Sequence, residues 1–299
     1  MSIELRRVTP ADLPAARALL ATACDYDDAA GVAEEKLFGA APADAASSAF
    51  AAVEGADLVG VAVASSRWIR LLAVAPATRH RGIGTALLAA AESVIIGTTA
   101  RTMDQPGNYL APGVDVRNQD TIGWLERRGY QPIAENTNLV IELAGNQRVS
   151  QERAADMAAR AGENGYRVRR AGPADRAALA ATVELAFGRA WAFEVDRALG
   201  GDPPAVHLAL DADGAIAAFA AHDGNNRGLG WFGPAGTLMP HRGKGLGEAL
   251  LVACLVDLAG EGRQSCTVAW IGPRDFYQRA AGIAREDRFV VLGKELDRP

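Results

Sequence analysis

Arg79-His80-Arg81-Gly82-Ile83-Gly84 and Arg242-Gly243-Lys244-Gly245-Leu246-Gly247 are the stretches that decide the fold, and they lie 163 residues apart. A second pair has the same offset: Leu5-Arg6-Arg7-Val8-Thr9-Pro10-Ala11-Asp12 and Val168-Arg169-Arg170-Ala171-Gly172-Pro173-Ala174-Asp175. Two different segments repeated at one spacing imply an internal duplication, so fold and site are read as two copies. Each glycine stretch stands between an apolar strand pattern (Trp68–Val74, Gly230–Leu238) and an apolar helical one (Thr85–Val94, Glu248–Leu258). In that setting successive backbone N–H groups and the positive end of the helix converge on one point. Glycine lets the backbone come close, because a Cβ would hold phosphate oxygens away. The arginine adds a fixed charge. The pattern suits a pyrophosphate; the alternative is an ordinary turn in which glycine relieves crowding.

Working outward, the same order of elements appears twice. The first copy reads as strand Ile3–Val8, a helix opened by Thr9 and Pro10, and a second helix over Ala29–Phe38. A hairpin follows around Glu54-Gly55-Ala56-Asp57, then the strand, glycine turn and helix, then strand Ile95–Met103, helix Asn118–Arg128 and strand Leu139–Leu143. The second copy repeats this from Arg167 to Phe289–Leu296, with its hairpin at Asp211-Ala212-Asp213-Gly214. Each copy is therefore α/β (α+β), a mixed and mostly antiparallel sheet flanked by helices. The domains run 1–145 and 165–299, and residues 146–164 form a connector in which Ser150 caps a helix.

A chain of 299 residues, 49% hydrophobic and 22% charged, suits two domains with proper cores. The net charge of −5 lacks the basic footprint of a nucleic-acid binder. Cys24, Cys254 and Cys266 have no metal-ligand spacing and read as reduced thiols, so no metal is expected. The opening Met1–Arg7 reads as a polar alternating strand and not a signal peptide, and no apolar run reaches about 18 residues. The expectation is a cytoplasmic protein that binds no membrane, acting as a monomer or homodimer.

Other phosphate sites fail on residues. A P-loop needs Ser or Thr after its Lys, but Gly245 follows Lys244. A dinucleotide fingerprint needs a third glycine where Leu250 stands, directly after the first strand of a βαβ unit. Strand, Arg-x-x-Gly-x-Gly/Ala, helix instead resembles the acetyl-CoA motif of the GNAT superfamily of N-acetyltransferases, and nearly the whole chain is similar to a tandem member. The second copy is one residue shorter before its motif, at Met239-Pro240-His241-Arg242. The resemblance implies acetyl-CoA as cosubstrate. Arg79, His80, Arg81, Gly82, Gly84 and Thr85 would hold its pyrophosphate in one copy; Arg242, Gly243, Lys244, Gly245, Gly247 and Glu248 would do so in the other. It also implies that the pantetheine arm lies like an added strand beside Leu72–Val74 and Leu238–Met239.

Acetyl transfer to an amine needs a deprotonated amine, donors for the oxyanion and a proton for the leaving thiolate. The family often supplies the last from a tyrosine on the late helix. Tyr277 in Asp275-Phe276-Tyr277-Gln278 matches, and Leu125 takes that place in the first copy. A tyrosine packing the helix is the plain alternative. Phe232-Gly233-Pro234-Ala235-Gly236 predicts a bulge in the second copy only, where relatives free an amide near the thioester carbonyl. No carboxylate lies on that strand; Glu194, Asp196, His222 and Asp223 are the base candidates. In the first copy, Asp25-Tyr26-Asp27-Asp28 falls where relatives bind the acceptor and would suit a cation; a solvated acidic turn is the plain alternative. Asn108–Asp115 reads there as an ordered loop shaping a pocket or a domain contact. The reading is a tandem enzyme that acetylates a small-molecule amine, with the C-terminal copy as catalyst. The alternatives are N-terminal catalysis and a non-catalytic acyl-CoA-binding module.

Overall fold

The computed structural model describes residues 3–42 and 47–297. In the first copy the elements are β1 (Ile3–Arg7), α1 (Leu13–Ala23), α2 (Ala33–Phe38), β2 (Ser48–Glu54), β3 (Asp57–Ser65) and β4 (Trp68–Val74). They continue with α3 (Ile83–Ser93), β5 (Thr99–Thr102), β6 (Val114–Asp115), α4 (Gln119–Glu126) and β7 (Gln131–Glu142). Then come α5 (Gln151–Glu163), β8 (Arg167–Arg170), α6 (Arg176–Phe187), α7 (Arg189–Leu199), β9 (Val206–Leu210) and β10 (Ile216–His222). The chain closes with β11 (Trp231–Thr237), α8 (Leu246–Gly260), β12 (Ser265–Val268), α9 (Arg274–Ala280) and β13 (Arg285–Glu295).

The second sequence echo has a structural cause. Arg6 donates two hydrogen bonds to Asp12 (2.8 and 2.7 Å), and Arg169 does the same to Asp175 (2.7 Å each). Asp12 also accepts the Thr9 N–H at 2.7 Å, and Asp175 the Gly172 N–H at 2.8 Å. Each clamp therefore joins the first strand to the first helix through a short 3-10 turn at Pro10–Asp12 or Pro173–Asp175. Arg6 holds the Asp12 carboxyl well below its ordinary range, and Arg169 holds that of Asp175 at about 2.

The chain forms two compact units. The N-terminal unit runs to Asn136 and includes the chain from Arg288 onward; the C-terminal unit is Thr137–Asp287. The sheet of the N-terminal unit has the order β1-β2-β3-β4-β5-β13, with only β4 and β5 parallel. That of the C-terminal unit has the order β7-β12-β11-β10-β9-β8, with only β11 and β12 parallel. The closing strand of each copy thus belongs to the other unit: Gly293 of β13 faces Arg101 of β5, and Glu142 of β7 faces Ser265 of β12. Alternating apolar residues mark a segment as strand without naming its partner, so the sequence repeat (1–145 and 165–299) and the compact units differ by these strands.

In the N-terminal unit, Ile83, Leu87 and Leu88 of α3 pack on Ala62 and Ile69. In the C-terminal unit, Leu250, Leu251 and Leu255 of α8 pack on Ala218, Ala220 and Phe232. The opposite face of that sheet is covered through Val183, Val195 and Phe219. Each such buried leucine contributes about 2 kcal/mol through surface removed from water. No helix among the described residues is long and apolar enough to cross a membrane.

Two features position a site in each unit. The parallel ladder between β4 and β5 has two rungs, Trp68↔Arg101 and Ile69↔Thr102; that between β11 and β12 has Trp231↔Thr267 and Phe232↔Val268. Beyond them β4 and β11 run on without a ladder partner on that side among the described residues. At the point of separation both strands bulge. Val63↔Leu71 is followed by Ala64↔Ile69, so Arg70 is the extra residue. Ala220↔Ala235 is followed by His222↔Phe232, so Gly233 and Pro234 face one residue. The bulge is therefore common to both copies and is not the mark of the second. Gly-Pro signals it in β11, whereas Arg70 within an apolar run carries no such signal.

Candidate active site

After each splayed strand the chain makes a 3-10 turn, Pro76–Thr78 or Met239–His241, and enters the glycine loop. Two residues in each loop have left-handed backbone: His80 (φ 63°) and Gly82 (φ 84°), then Gly243 (φ 74°) and Gly245 (φ 77°). A Cβ on Gly82 or Gly245 would meet nothing within 4 Å, so the space over each loop is open. The first helical hydrogen bonds are Ala86 N–H to Gly82 O and Ala249 N–H to Gly245 O. The N–H groups of Ile83, Gly84 and Thr85, and of Leu246, Gly247 and Glu248, therefore lack intrahelical acceptors. This is a concave cluster of donors that fits a diphosphate.

The cations of the two loops differ in their partners. Arg79 and Arg242 turn back, their Nε donating at 3.2 Å to Val74 O and Thr237 O, and so brace the ends of the strands. Arg81 is paired with Glu54 through bonds of 2.9 and 2.6 Å. Lys244 is exposed. Gly84 lies against Trp124, whose ring would be 3.3 Å from an added Cβ, and Gly247 lies against Phe276 at 3.8 Å. Leu72, Val74 and Leu238 are half-buried and Met239 is 76% exposed.

In the C-terminal unit Tyr277 meets Phe232 and Phe276 edge to face, with ring centroids 6.4 and 5.0 Å away. Phe232 is the last rung before the bulge, so the phenol stands beside the splay. Burial, with the neighbouring Cys266 thiol, pushes the Tyr277 hydroxyl up to about 12. It is therefore protonated at neutral pH. Gly233, at φ 122°, has nothing within 4 Å of the place its Cβ would occupy. On the α6/α7 side Phe187 stacks on Trp191 at 5.2 Å and covers Gly236.

The same place in the N-terminal unit is filled. Leu125 replaces the tyrosine and is buried. Arg70, in the position of Gly233, is fully buried. Its Nε donates to Gln105 Oε1 (2.8 Å), Nη1 to Lys36 O (3.0 Å) and Nη2 to Ser47 Oγ (2.8 Å). Lys36 Nζ donates to Glu35 (2.7 Å) and Asn108 (3.0 Å), and Gln105 Nε2 donates to Ser65 Oγ (3.1 Å). The loop over Asn108–Asp115 therefore contributes a buried polar anchor in this unit. Arg70 was not singled out from the sequence; one arginine inside Trp68-Ile69-Arg70-Leu71-Leu72 was its only trace.

The base candidates separate clearly. Asp196 is half-exposed and paired with Arg176 at 3.2 Å. Asp223 accepts the Gly228 N–H at 3.1 Å, and Glu194 is buried. His222 is buried with its ring nitrogens 3.7 Å from Asp223 and 3.5 Å from Asp257. Burial opposes its charge, but the two carboxylates outweigh that and raise it to about 9. A histidine already protonated at neutral pH cannot take a further proton. Asp257 also binds His207 (2.7 Å) and Arg170 (2.6 Å), which makes a buried charge cluster that local sequence does not reveal. Among the described residues no group of His, Cys, Asp and Glu can hold a metal ion.

Residues 15–130 match the model of the Acetyltransferase (GNAT) family. No curated protein matches the chain. Solved structures match throughout. A GCN5-related glucosamine N-acetyltransferase region of a fungal multi-domain GH3 β-N-acetylglucosaminidase has 16% identity and a TM-score of 0.76; the match covers 98% of this chain and 38% of that one. A GCN5-related N-acetyltransferase from Sphaerobacter thermophilus has 20% identity and a TM-score of 0.68, covering 99% and 96%. A tandem GNAT protein from the clavulanic acid biosynthesis pathway has 17% identity and a TM-score of 0.71, covering all of both chains. Residues 15–130 thus carry a GNAT-family domain, and the chain as a whole has the fold of a tandem GNAT protein, with the same motif and topology repeated in its second copy.

Proposed function

We propose that the protein is an acetyl-CoA-dependent N-acetyltransferase acting on a small-molecule amine, with the C-terminal unit as catalyst. The observation that carries this reading is the contrast between the copies: Gly233 opens onto free space one residue after Phe232, which Tyr277 meets edge to face, whereas the matched Arg70 is buried in a hydrogen-bonded network and Leu125 stands in place of the tyrosine. Acetyl-CoA supplies the acetyl group and a thiol leaving group. The amides of Gly243–Glu248 and the Lys244 ammonium bind the diphosphate, and the unpaired edge of β11 orients the arm. The Tyr277 hydroxyl holds a proton toward the leaving sulfur. Its value of about 12 lies above an ordinary thiol near 8.5, so it stabilises a thiolate by hydrogen bonding more than by full transfer. The N-terminal unit binds acetyl-CoA without turnover.

A second reading, catalysis by the N-terminal unit, is favoured by the family match, which falls on residues 15–130. The three cysteines are free thiols, which supports a reducing compartment, and we place the protein in the cytoplasm as a monomer or homodimer. The test is mass spectrometry of acetylated products across an amine library with acetyl-CoA, beside calorimetry that counts acetyl-CoA sites. The reading predicts an N-acetylated product and two sites. Two sites with no product from any amine would establish an acyl-CoA-binding module.

A further inference from the structure

The first turns of α3 and α8 differ in one position. Thr85 in α3 corresponds to Glu248 in α8 at the 163-residue offset. A carboxylate there is carried on the same first helical turn as the open amides, so its charge opposes a diphosphate bound to them. Each nest also has an arginine on this residue, and the two come from unrelated places. Arg128, just beyond α4, donates to Thr85 Oγ1 at 2.8 Å and to Trp124 O at 2.9 Å. On α8 the partner is Arg153, from α5, the helix that joins the two repeats. Its Nη2 donates to Glu248 Oε1 at 2.6 Å, and its Nη1 donates to Arg148 O and Ala280 O, each at 2.6 Å. The side chains of Arg153 and Glu248 are 24% and 35% exposed, so the pair is only partly screened by water. Ala280 closes the helix that carries Tyr277.

We infer that Arg153 is a positioning residue of the C-terminal acetyl-CoA site: it cancels the Glu248 charge and makes the connector helix part of the nest. The inference rests on the reading of residues 242–248 as that nest. Arg153 touches neither the diphosphate nor the reacting atoms; it acts through Glu248. At the N-terminal nest Arg128 has no charge to cancel, because Thr85 is neutral.

The test uses the full chain with Gly82→Glu, so that only the C-terminal site is titrated with acetyl-CoA by calorimetry. Arg153→Gln leaves the carboxylate uncompensated one turn from the diphosphate and weakens binding about tenfold. Adding Glu248→Gln to Arg153→Gln restores binding to within about twofold, and Glu248→Gln alone binds at least as tightly as the parent. The Arg153→Gln defect also shrinks as salt rises. A double variant as weak as Arg153→Gln would show a mere structural brace and overturn the inference. So would a loss of affinity in Glu248→Gln alone, which keeps its place in the helix and tests the idea even where Arg153→Gln fails to fold. Failure of the underlying nest reading looks different: acetyl-CoA binding would then survive Gly245→Glu in this same chain.

Discussion

Replacing Tyr277 by Phe separates chemistry from packing. The ring is held by Phe232 and Phe276, and Phe retains both contacts. The hydroxyl makes no hydrogen bond to protein among the described residues, and its burial is what raises it to about 12. Removing a buried, unpartnered hydroxyl leaves nothing unsatisfied, so folding stability should change by less than about 1 kcal/mol. Turnover should fall about 10²-fold or more, as for loss of a positioned proton donor, while acetyl-CoA affinity stays within about twofold. Wild-type turnover should show no alkaline loss from this group below about pH 10, since the phenol stays protonated there. The assay is steady-state kcat with the best amine found, beside thermal unfolding and calorimetry. Unchanged kcat in a folded variant would refute the role; a collapse in stability would show that the tyrosine is structural.

Arg70→Met removes the donor that serves Gln105, Ser47 and the Lys36 carbonyl inside the N-terminal unit. It should cost that unit about 3 kcal/mol or more in chemical denaturation, and an unchanged midpoint would contradict a buried, fully used guanidinium. The C-terminal unit should lose stability as pH rises from about 6.5 through about 9. His222 is raised in the folded state, so its contribution, up to about 3 kcal/mol, is complete below the unfolded value and gone above the folded one. His222→Gln should flatten that part of the pH–stability curve, and a curve of unchanged slope would oppose the assignment. Gly39→Ala should destabilise the N-terminal unit by about 1–3 kcal/mol, because its Cβ would collide with Glu35 O; wild-type stability would show that the turn can shift.

What was legible in the sequence follows from where each signal is local. The glycine loops were readable because left-handed backbone at Gly82, Gly243 and Gly245 leaves a compositional mark. His80 adopts the same conformation without that mark. The Arg6–Asp12 and Arg169–Asp175 clamps were visible as an echo, although their role as strand-to-helix ties was not. Strand positions were readable, but β7 and β13 needed knowledge of partners distant in sequence. The decisive contrast between Arg70 and Gly233 also escaped. A buried arginine is recognised only when Gln105, Lys36 and Ser47 are seen to converge on it. His222 is one of four base candidates in the sequence, and only the approach of Asp223 and Asp257 in space marks it as a charged partner instead.

The central claim is that one unit turns over and the other only binds. The direct measurement is acetylated product, by mass spectrometry, from full-length Gly82→Glu and Gly245→Glu, each closing one nest. Product formation persisting in Gly82→Glu and vanishing in Gly245→Glu is the predicted result. Product lost in Gly82→Glu but retained in Gly245→Glu would place the chemistry in the N-terminal unit and contradict the account.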